Sequence, residues 1–352
     1  MRVRVLVCFA RLLSFHLVIL ATNDSISGME YRKFGDLGWN VSEIGFGAWA
    51  IGGSWGPQGD PDSMAALHRA VDSGVNFIDT AEGYGDGHSE QLIGKLLKSR
   101  SEEIFVATKT PPMSGPWPPS PYCRWEDRYS ERHLRENVEE RLRQLDVEAI
   151  DLLQLHTWTR AWNKDPKPLE ILQKMKQEGK IRAVGISTPE HDQNSAIDLM
   201  RMGIIDSLQV IYNIFEQEPA AELLPVAEEH GVGIIVRVAF DEGVLTGKYA
   251  ADHQFSEGDF RNGYFEGDRL ARSVQRVECI KSSLGENARS LPETALGFAL
   301  AHSAVGTVIA GTRNAEQAVA NAAVSDQPPL DEATLKTLHP HNWRRAIWYG
   351  GK

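Results

Sequence analysis

From Tyr31 onward, short apolar runs alternate with longer stretches whose apolar residues recur every three to four positions, and the unit occurs eight times. The apolar runs are Ile44 to Gly47, Phe77 to Asp79, Ile104 to Lys109, Ile150 to Leu155, Ala183 to Ser187, Leu208 to Ile211, Gly233 to Arg237 and Thr307 to Ala310. They read as strands. Intervening segments such as SEQLIGKLLKS and SERHLRENVEERLRQL read as helices, the second with Ser130 as its cap. Each connection is long enough to carry the chain back for parallel pairing. Eight such units in 352 residues predict an α/β fold, a (β/α)8 TIM barrel, with a doubly wound open sheet as the alternative. The open sheet is disfavoured because GFGAWAIGGSWG lacks the spacing of a dinucleotide-binding turn and has no helix start directly behind it. Before the first strand, YRKFGDLGWNVSEI predicts a β-hairpin that plugs the barrel bottom. Two connections are long enough to serve as lids: PPMSGPWPPSPYCRWEDR after the third strand, and Phe240 to about Asp268 after the seventh. No low-complexity linker interrupts the pattern, so residues 29–352 read as one domain.

The first 28 residues stand outside it. MRVRVLVCFARLLSFHLVIL carries Arg2, Arg4 and Arg11, no acid, and an apolar stretch from Leu12 to Leu20. Either this is a leader with an apolar middle of only about nine residues, or the start is mis-assigned and Met29 is the initiator. The stretch is far below a membrane span, so no stable membrane insertion is expected. Thirty-seven basic against 48 acidic side chains give a net charge of −11, the wrong sign for tracking nucleic acid or an anionic membrane. A small-molecule or protein partner is expected instead, and nothing in the chain specifies an oligomeric state. Cys8, Cys123 and Cys279 are too few and scattered for a disulfide framework or zinc knuckle and fit a reducing compartment, the cytoplasm, with a leader at 1–28 left open.

In a barrel the chemistry sits where strands end. The second strand ends in Asp79 with Tyr84 five residues on, the third in Lys109, the fourth in His156, the fifth in Ser187 and Thr188, and the seventh in Arg237, while the sixth carries Gln209. Singly, these read as a cap, a snorkelling lysine, a core histidine and a packing tyrosine. Jointly, they converge on one rim, where Lys109 is the cation that Asp79 needs. A tyrosine titrates near pH 10, too high for easy proton exchange, and a nearby ammonium lowers it. Asp79 then holds Lys109, Tyr84 protonates a carbonyl oxygen, and His156 hydrogen-bonds that oxygen. None of these side chains supplies hydride, so a cofactor is implied.

The same residues lie in motifs that together resemble the aldo-keto reductases: GFGAW, FIDTAEGYG, ATKT, IDLLQLH, GIS, LQVIYN, GVLTGKY and VIAGTRNAEQAVAN, in family order from Tyr31 to about Val324. The resemblance implies an NADPH-dependent oxidoreductase that reduces an aldehyde, ketone or sugar carbonyl to an alcohol. It makes Tyr84 the general acid, Asp79 and Lys109 its pKa-tuning pair, and His156 the partner that orients substrate. Ser187 and Gln209 then hold the nicotinamide carboxamide, Trp49 lines the substrate pocket, and the loop from Phe240 with Gly243, Leu245 and Gly247 covers the pyrophosphate. Gly311, Thr312 and Arg313 precede a short helix with Asn314 as its cap, and such amides and a guanidinium suit an anion. By resemblance that anion is the 2'-phosphate of NADPH (NADP when oxidised), with Gln317 and Asn321 at the adenosine end.

The departures are as informative. Thr188 stands where many members have an asparagine, which removes one carboxamide contact, and Arg237 stands where many put an aromatic ring against the nicotinamide. Arginine also stacks on planar rings, but it adds positive charge beside a cofactor that is cationic when oxidised, which favours reduction as the working direction. Past His156 the chain runs TWTRAW; Trp158, with Trp162 and Trp117, either walls the pocket or packs in the core. Glu82 has no role by resemblance and is expected in solvent or against the hairpin. Two other readings remain: a non-catalytic NADP(H)-binding regulatory subunit, as in channel-associated β-subunits that look like this family, and a metal-dependent hydrolase. The latter is disfavoured, and no metal site is expected, because the fifth to seventh strands offer Ser187, Gln209 and Arg237 rather than ligands.

Overall fold

A computed structural model describes residues 28–53, 55–286, 288–343 and 345; the stretch 1–27, read above as a leader or mis-assigned start, lies outside the described residues. Two short strands, β1 (Tyr31–Lys33) and β2 (Asn40–Ser42), pair antiparallel as the expected hairpin. Eight strands follow: β3 (Ile44–Gly47), β4 (Phe77–Asp79), β5 (Phe105–Thr110), β6 (Ile150–Leu155), β7 (Ile181–Ser187), β8 (Ser207–Ile211), β9 (Gly233–Arg237) and β10 (Val305–Gly311). They are parallel and pair in chain order, and β10 pairs with β3 to close a (β/α)8 TIM barrel.

Closure buries both faces of the strands, which is why they read as continuous apolar runs. The faces turned inward supply Phe77, Phe105, Ala107, Leu152, Ala183, Ile235 and Ile309, and the hairpin adds Phe34 and Val41 to the same cluster. The Phe34 ring lies 5.4 Å from Phe77, and Trp39 stacks on Phe105 at 4.8 Å, so the hairpin seals the end of the barrel opposite the strand carboxyl ends. Phe34 enters only because residues 233 and 306 are glycines: a Cβ on either would come within 2.7 Å of its ring.

The helices His88–Ser99 and Glu131–Leu145 occupy the two quoted helical segments, and Ser130 Oγ caps the second by accepting from the His133 N–H at 3.2 Å. The long connection after β5 folds around Arg128, whose guanidinium donates to the carbonyls of Met113 at 2.8 Å and Pro116 at 2.7 Å. The connection after β9 has structure of its own, a turn at Val244–Thr246 and a short helix at Arg261–Tyr264. Arg261 pins it by pairing with Asp259 at 2.6 Å and lying 4.5 Å over the Trp55 ring. Among the described residues no helix is long and apolar enough to cross a membrane.

Candidate active site

Adjacent strands bring the two expected charges together. Lys109 Nζ, on β5, donates to Asp79 Oδ2 at the end of β4 at 2.6 Å and to the Thr80 carbonyl at 2.8 Å. Both side chains are buried. The loop after β4 then turns back, placing Tyr84 Oη 3.3 Å from Lys109 Nζ. Glycines permit that turn: Gly85 sits at φ +72°, and a Cβ on Gly52, from the loop after β3, would lie 2.6 Å from the Tyr84 carbonyl carbon. His156 follows β6 with its ring edge-on to that of Tyr84 at 6.2 Å. Asp79, Lys109, Tyr84 and His156 therefore share one rim.

The electrostatics differ from expectation at Tyr84. Burial pushes its phenol above the ordinary tyrosine value; the Lys109 charge pulls it down only in part, and Asp79 opposes that pull. Lys109 itself is driven down by burial, but Asp79 and Tyr84 outweigh this and leave its net shift upward. The imidazole of His156 is held well below its usual range, first by burial and then by Lys109 and Arg237, so it is neutral at pH 7. The rim thus holds a protonated phenol, an ammonium and a neutral imidazole.

Asp79 has a second set of partners that the sequence did not suggest. Its Oδ1 accepts from Gln209 Nε2 at 2.7 Å and from Gln154 Nε2 at 3.3 Å. Gln154 lies two residues before His156, the spacing that puts strand neighbours on one face, and that was its only signal. Ser187 Oγ donates to Gln209 Oε1 at 3.3 Å, so Ser187, Gln209 and Asp79 form a continuous chain. Thr188 turns away from it, its hydroxyl donating to the Gln209 carbonyl at 3.1 Å.

Arg237 does not add an uncompensated charge. Its Nη2 donates to the Thr188 carbonyl and to Glu190 Oε1, each at 3.1 Å, so Glu190 offsets the cation. Arg237 Nε is buried and has no partner among the described residues. At the end of β10, Arg313 Nε donates to Gln58 Oε1 at 3.1 Å and Nη2 to the Pro57 carbonyl at 2.7 Å. Asn314 caps the helix Ala315–Ala322 as expected, its Oδ1 accepting from the Gln317 N–H at 2.9 Å. Gln317 Oε1 accepts from the Arg313 N–H at 2.9 Å, and Asn321 Nδ2 donates to Thr312 Oγ1 at 3.0 Å. These two residues brace the turn Gly311–Thr312–Arg313.

The aromatic wall is only partly the expected one. Trp49 stacks over Tyr84 at 6.0 Å and meets Phe260, from the long connection after β9, at 4.4 Å. Trp117 is 48% exposed with its ring edge-on to His156 at 5.7 Å. Trp158, placed by the sequence either in the pocket wall or in the core, is 0% exposed and so does not line the pocket: the turn Arg160–Lys164 folds it into the core, where its indole N–H donates to Asn163 Oδ1 at 2.8 Å and its ring packs on Trp162 at 5.2 Å. Glu82, expected in solvent or against the hairpin, keeps 34% of its side chain exposed and pairs with the helix Glu131–Leu145: Asn137 Nδ2 donates to its Oε2 at 2.7 Å, and Arg141 Nη1 lies 2.9 Å from the same oxygen.

The family model for the Aldo/keto reductase family matches residues 43–342. The chain belongs to the aldo/keto reductase family. The family's enzymes are oxidoreductases that bind nicotinamide cofactors and act on small carbonyl compounds, and the relatives of this chain also include a probable voltage-gated potassium channel subunit beta of Oryza sativa subsp. japonica. This aldo/keto reductase is 30% identical to the uncharacterized oxidoreductase YqkF of Bacillus subtilis (strain 168) over 322 residues, 89% of this chain and 96% of the relative. It is 27% identical to the NADH-specific methylglyoxal reductase of Escherichia coli (strain K12) over 301 residues, 80% and 89% of the two chains. Among solved structures, the holo form of aldo-keto reductase AKR11C1 from Bacillus halodurans superposes with a TM-score of 0.70 at 29% identity, covering 89% of this chain and 96% of that one.

The donor set of this aldo/keto reductase fits a nicotinamide dinucleotide. A buried hydroxyl and amide, Ser187 and Gln209, lie beside Asp79; the orphaned Arg237 Nε is at the end of the neighbouring strand β9; and the Arg313 guanidinium has Nη1 without a partner among the described residues.

Proposed function

We propose that this aldo/keto reductase, as one barrel domain beginning near Met29, uses NADPH to reduce the carbonyl of an aldehyde or ketone to an alcohol, with Tyr84 as the general acid. The observation that carries this reading is the Asp79–Lys109–Tyr84 chain, a buried ion pair reaching a partly buried phenol, with spacings of 2.6 Å and 3.3 Å and His156 alongside. Bound NADPH supplies the hydride. Tyr84, kept protonated by burial, gives its proton from Oη to the carbonyl oxygen, and the Lys109 ammonium behind it stabilises the phenolate that remains. Asp79 holds Lys109 in that position and offsets the cost of burying it. Neutral His156 donates a hydrogen bond to the same oxygen and orients the carbonyl. Trp49, Trp117 and Phe260 bound the space above Tyr84, which suits a small substrate with an apolar or sugar-ring face.

Ser187 and Gln209 are assigned to the nicotinamide carboxamide, and Arg313, with the turn braced by Gln317 and Asn321, to the 2'-phosphate. Arg313→Ala is therefore expected to weaken NADPH binding about 10- to 100-fold, the worth of a charge-assisted contact, and to leave NADH binding unchanged. Fluorescence titration of both cofactors checks this; equal loss for both, or none, removes Arg313 from the phosphate site. The test is pointed, because the E. coli relative is named for NADH.

Glu190 makes Arg237 compatible with either redox state. Glu190→Gln uncovers the guanidinium and is expected to weaken NADP binding relative to NADPH by about fivefold. An unchanged ratio of the two dissociation constants means that Arg237 does not face the ring. A panel of aldehydes and ketones assayed with NADPH and NADH in parallel tests the overall reading.

A further inference from the structure

Behind the loop that carries Tyr84 lies a group of charges that the proposed chemistry does not use. Arg141, from the helix Glu131–Leu145, is only 2% exposed. Its Nη1 lies 2.9 Å from Glu82 Oε2 and its Nε 2.9 Å from Glu90 Oε2, an oxygen of a wholly buried carboxyl on the helix His88–Ser99. The other oxygen of Glu90 accepts from Thr108 Oγ1 at 2.6 Å. Glu82 precedes Tyr84 by two residues, and its N–H points to the Lys109 carbonyl at 3.5 Å; Thr108 immediately precedes Lys109. One guanidinium is therefore in ion-pair contact with carboxyl groups anchored to both segments that set the Tyr84–Lys109 distance, although neither contact is aligned as a hydrogen bond.

We propose that Arg141 is a positioning residue for proton transfer, acting through Glu82 and Glu90 to hold Tyr84 Oη against Lys109. This rests on Tyr84 being the proton donor. Stability alone is a poor reason to bury one guanidinium with two carboxylates, because apolar side chains of the same volume fill such a space at no desolvation cost. What the arrangement supplies is direction. The carboxylates draw the loop after β4 and the helix behind it onto one fixed point, so Tyr84 is held by its flanking backbone rather than by Lys109 alone. Burial pushes the Glu90 carboxyl up to about 7, with Glu82 and Glu140 adding to the rise, and Arg141 and Thr108 pull it back only in part.

The test compares the purified full chain with Arg141→Met, Arg141→Lys, Glu82→Gln and Tyr84→Phe for kcat, KM, NADPH affinity, thermal midpoint and pH profile. Arg141→Met is expected to lower kcat about 10- to 100-fold, the effect of a small misplacement of a reacting group, while NADPH affinity stays within about twofold. Its alkaline limb of carbonyl reduction moves to higher pH, because a more distant Lys109 lowers the phenol less. Arg141→Lys restores part of kcat. Glu82→Gln, which leaves the Arg141–Glu90 pair in place, loses kcat in the same sense and decides the matter if Arg141→Met does not fold. Wild-type kcat and an unmoved alkaline limb in folded Arg141→Met or in Glu82→Gln overturn the inference and leave Arg141 a packing residue. Full activity in Tyr84→Phe instead overturns the general-acid reading itself, so the two failures are distinguishable.

Discussion

Tyr84→Phe is expected to lower kcat for carbonyl reduction about 1,000-fold, the middle of the range for removing a general acid, with NADPH affinity within about twofold of wild type. The substitution removes only Oη. The ring keeps its stack on Trp49 at 6.0 Å, so the fold around the site has no reason to change, and an unchanged thermal midpoint is part of the expectation. Lys109 loses one contact at 3.3 Å but keeps Asp79 and the Thr80 carbonyl. The pH dependence carries more information than the rate. Reduction needs the phenol protonated, and burial raises its pKa, so the alkaline fall of the wild-type rate comes as the phenol ionises, above the ordinary tyrosine range. In Tyr84→Phe that alkaline limb disappears. Steady-state assays at saturating NADPH across pH measure both effects; a retained limb assigns it to another group.

Lys109→Met is expected to act on activity and stability together. It removes the ammonium that stabilises the phenolate and leaves Asp79 buried, its charge met only by the amides of Gln209 and Gln154. Breaking one side of a buried ion pair costs about 3–5 kcal/mol of stability, and the loss of the cation lowers kcat by at least about 100-fold. The double variant Asp79→Asn with Lys109→Met separates the two consequences. It leaves no unpaired charge, so chemical denaturation should show most of the stability returning while kcat stays low. Recovery of both would make the pair a structural brace without a part in the chemistry. Asp79→Asn alone is expected to cut turnover and shift the pH profile while cofactor binding is nearly kept, since an asparagine oxygen still accepts from Gln209.

The barrel was legible because each strand is buried on both faces and so shows up as an apolar run bounded by turn residues; β3, β4, β6 and β9 begin and end where the sequence places them. The polar strand ends were legible for the complementary reason: Asp79, Lys109 and His156 interrupt apolar runs where only the rim of a barrel tolerates them. What was not legible depends on contacts distant in sequence. Glu190 and Gln58 have no local signature and Gln154 only its spacing from His156, and they matter only because Arg237, Arg313 and Asp79 arrive beside them. Trp158 and Trp117 are alike as sequence, and only the paths of their loops send one into the core and the other beside His156. The direction of the Tyr84 shift was missed for a similar reason. The Lys109 charge was visible in the sequence, but the water excluded by packing around the phenol was not, and burial is the larger effect.

The reductase reading stands or falls on transfer of hydride to a carbonyl carbon. The direct measurement is a single-turnover reaction of the purified protein with NADPH deuterated at its transferable position and a panel of aldehydes and ketones, followed by mass analysis of the products. The expected result is deuterium on the carbinol carbon of at least one product with wild type, and label appearing about 1,000-fold more slowly with Tyr84→Phe. Tight NADPH binding with no label in any product contradicts it and makes the chain a cofactor-binding regulatory subunit.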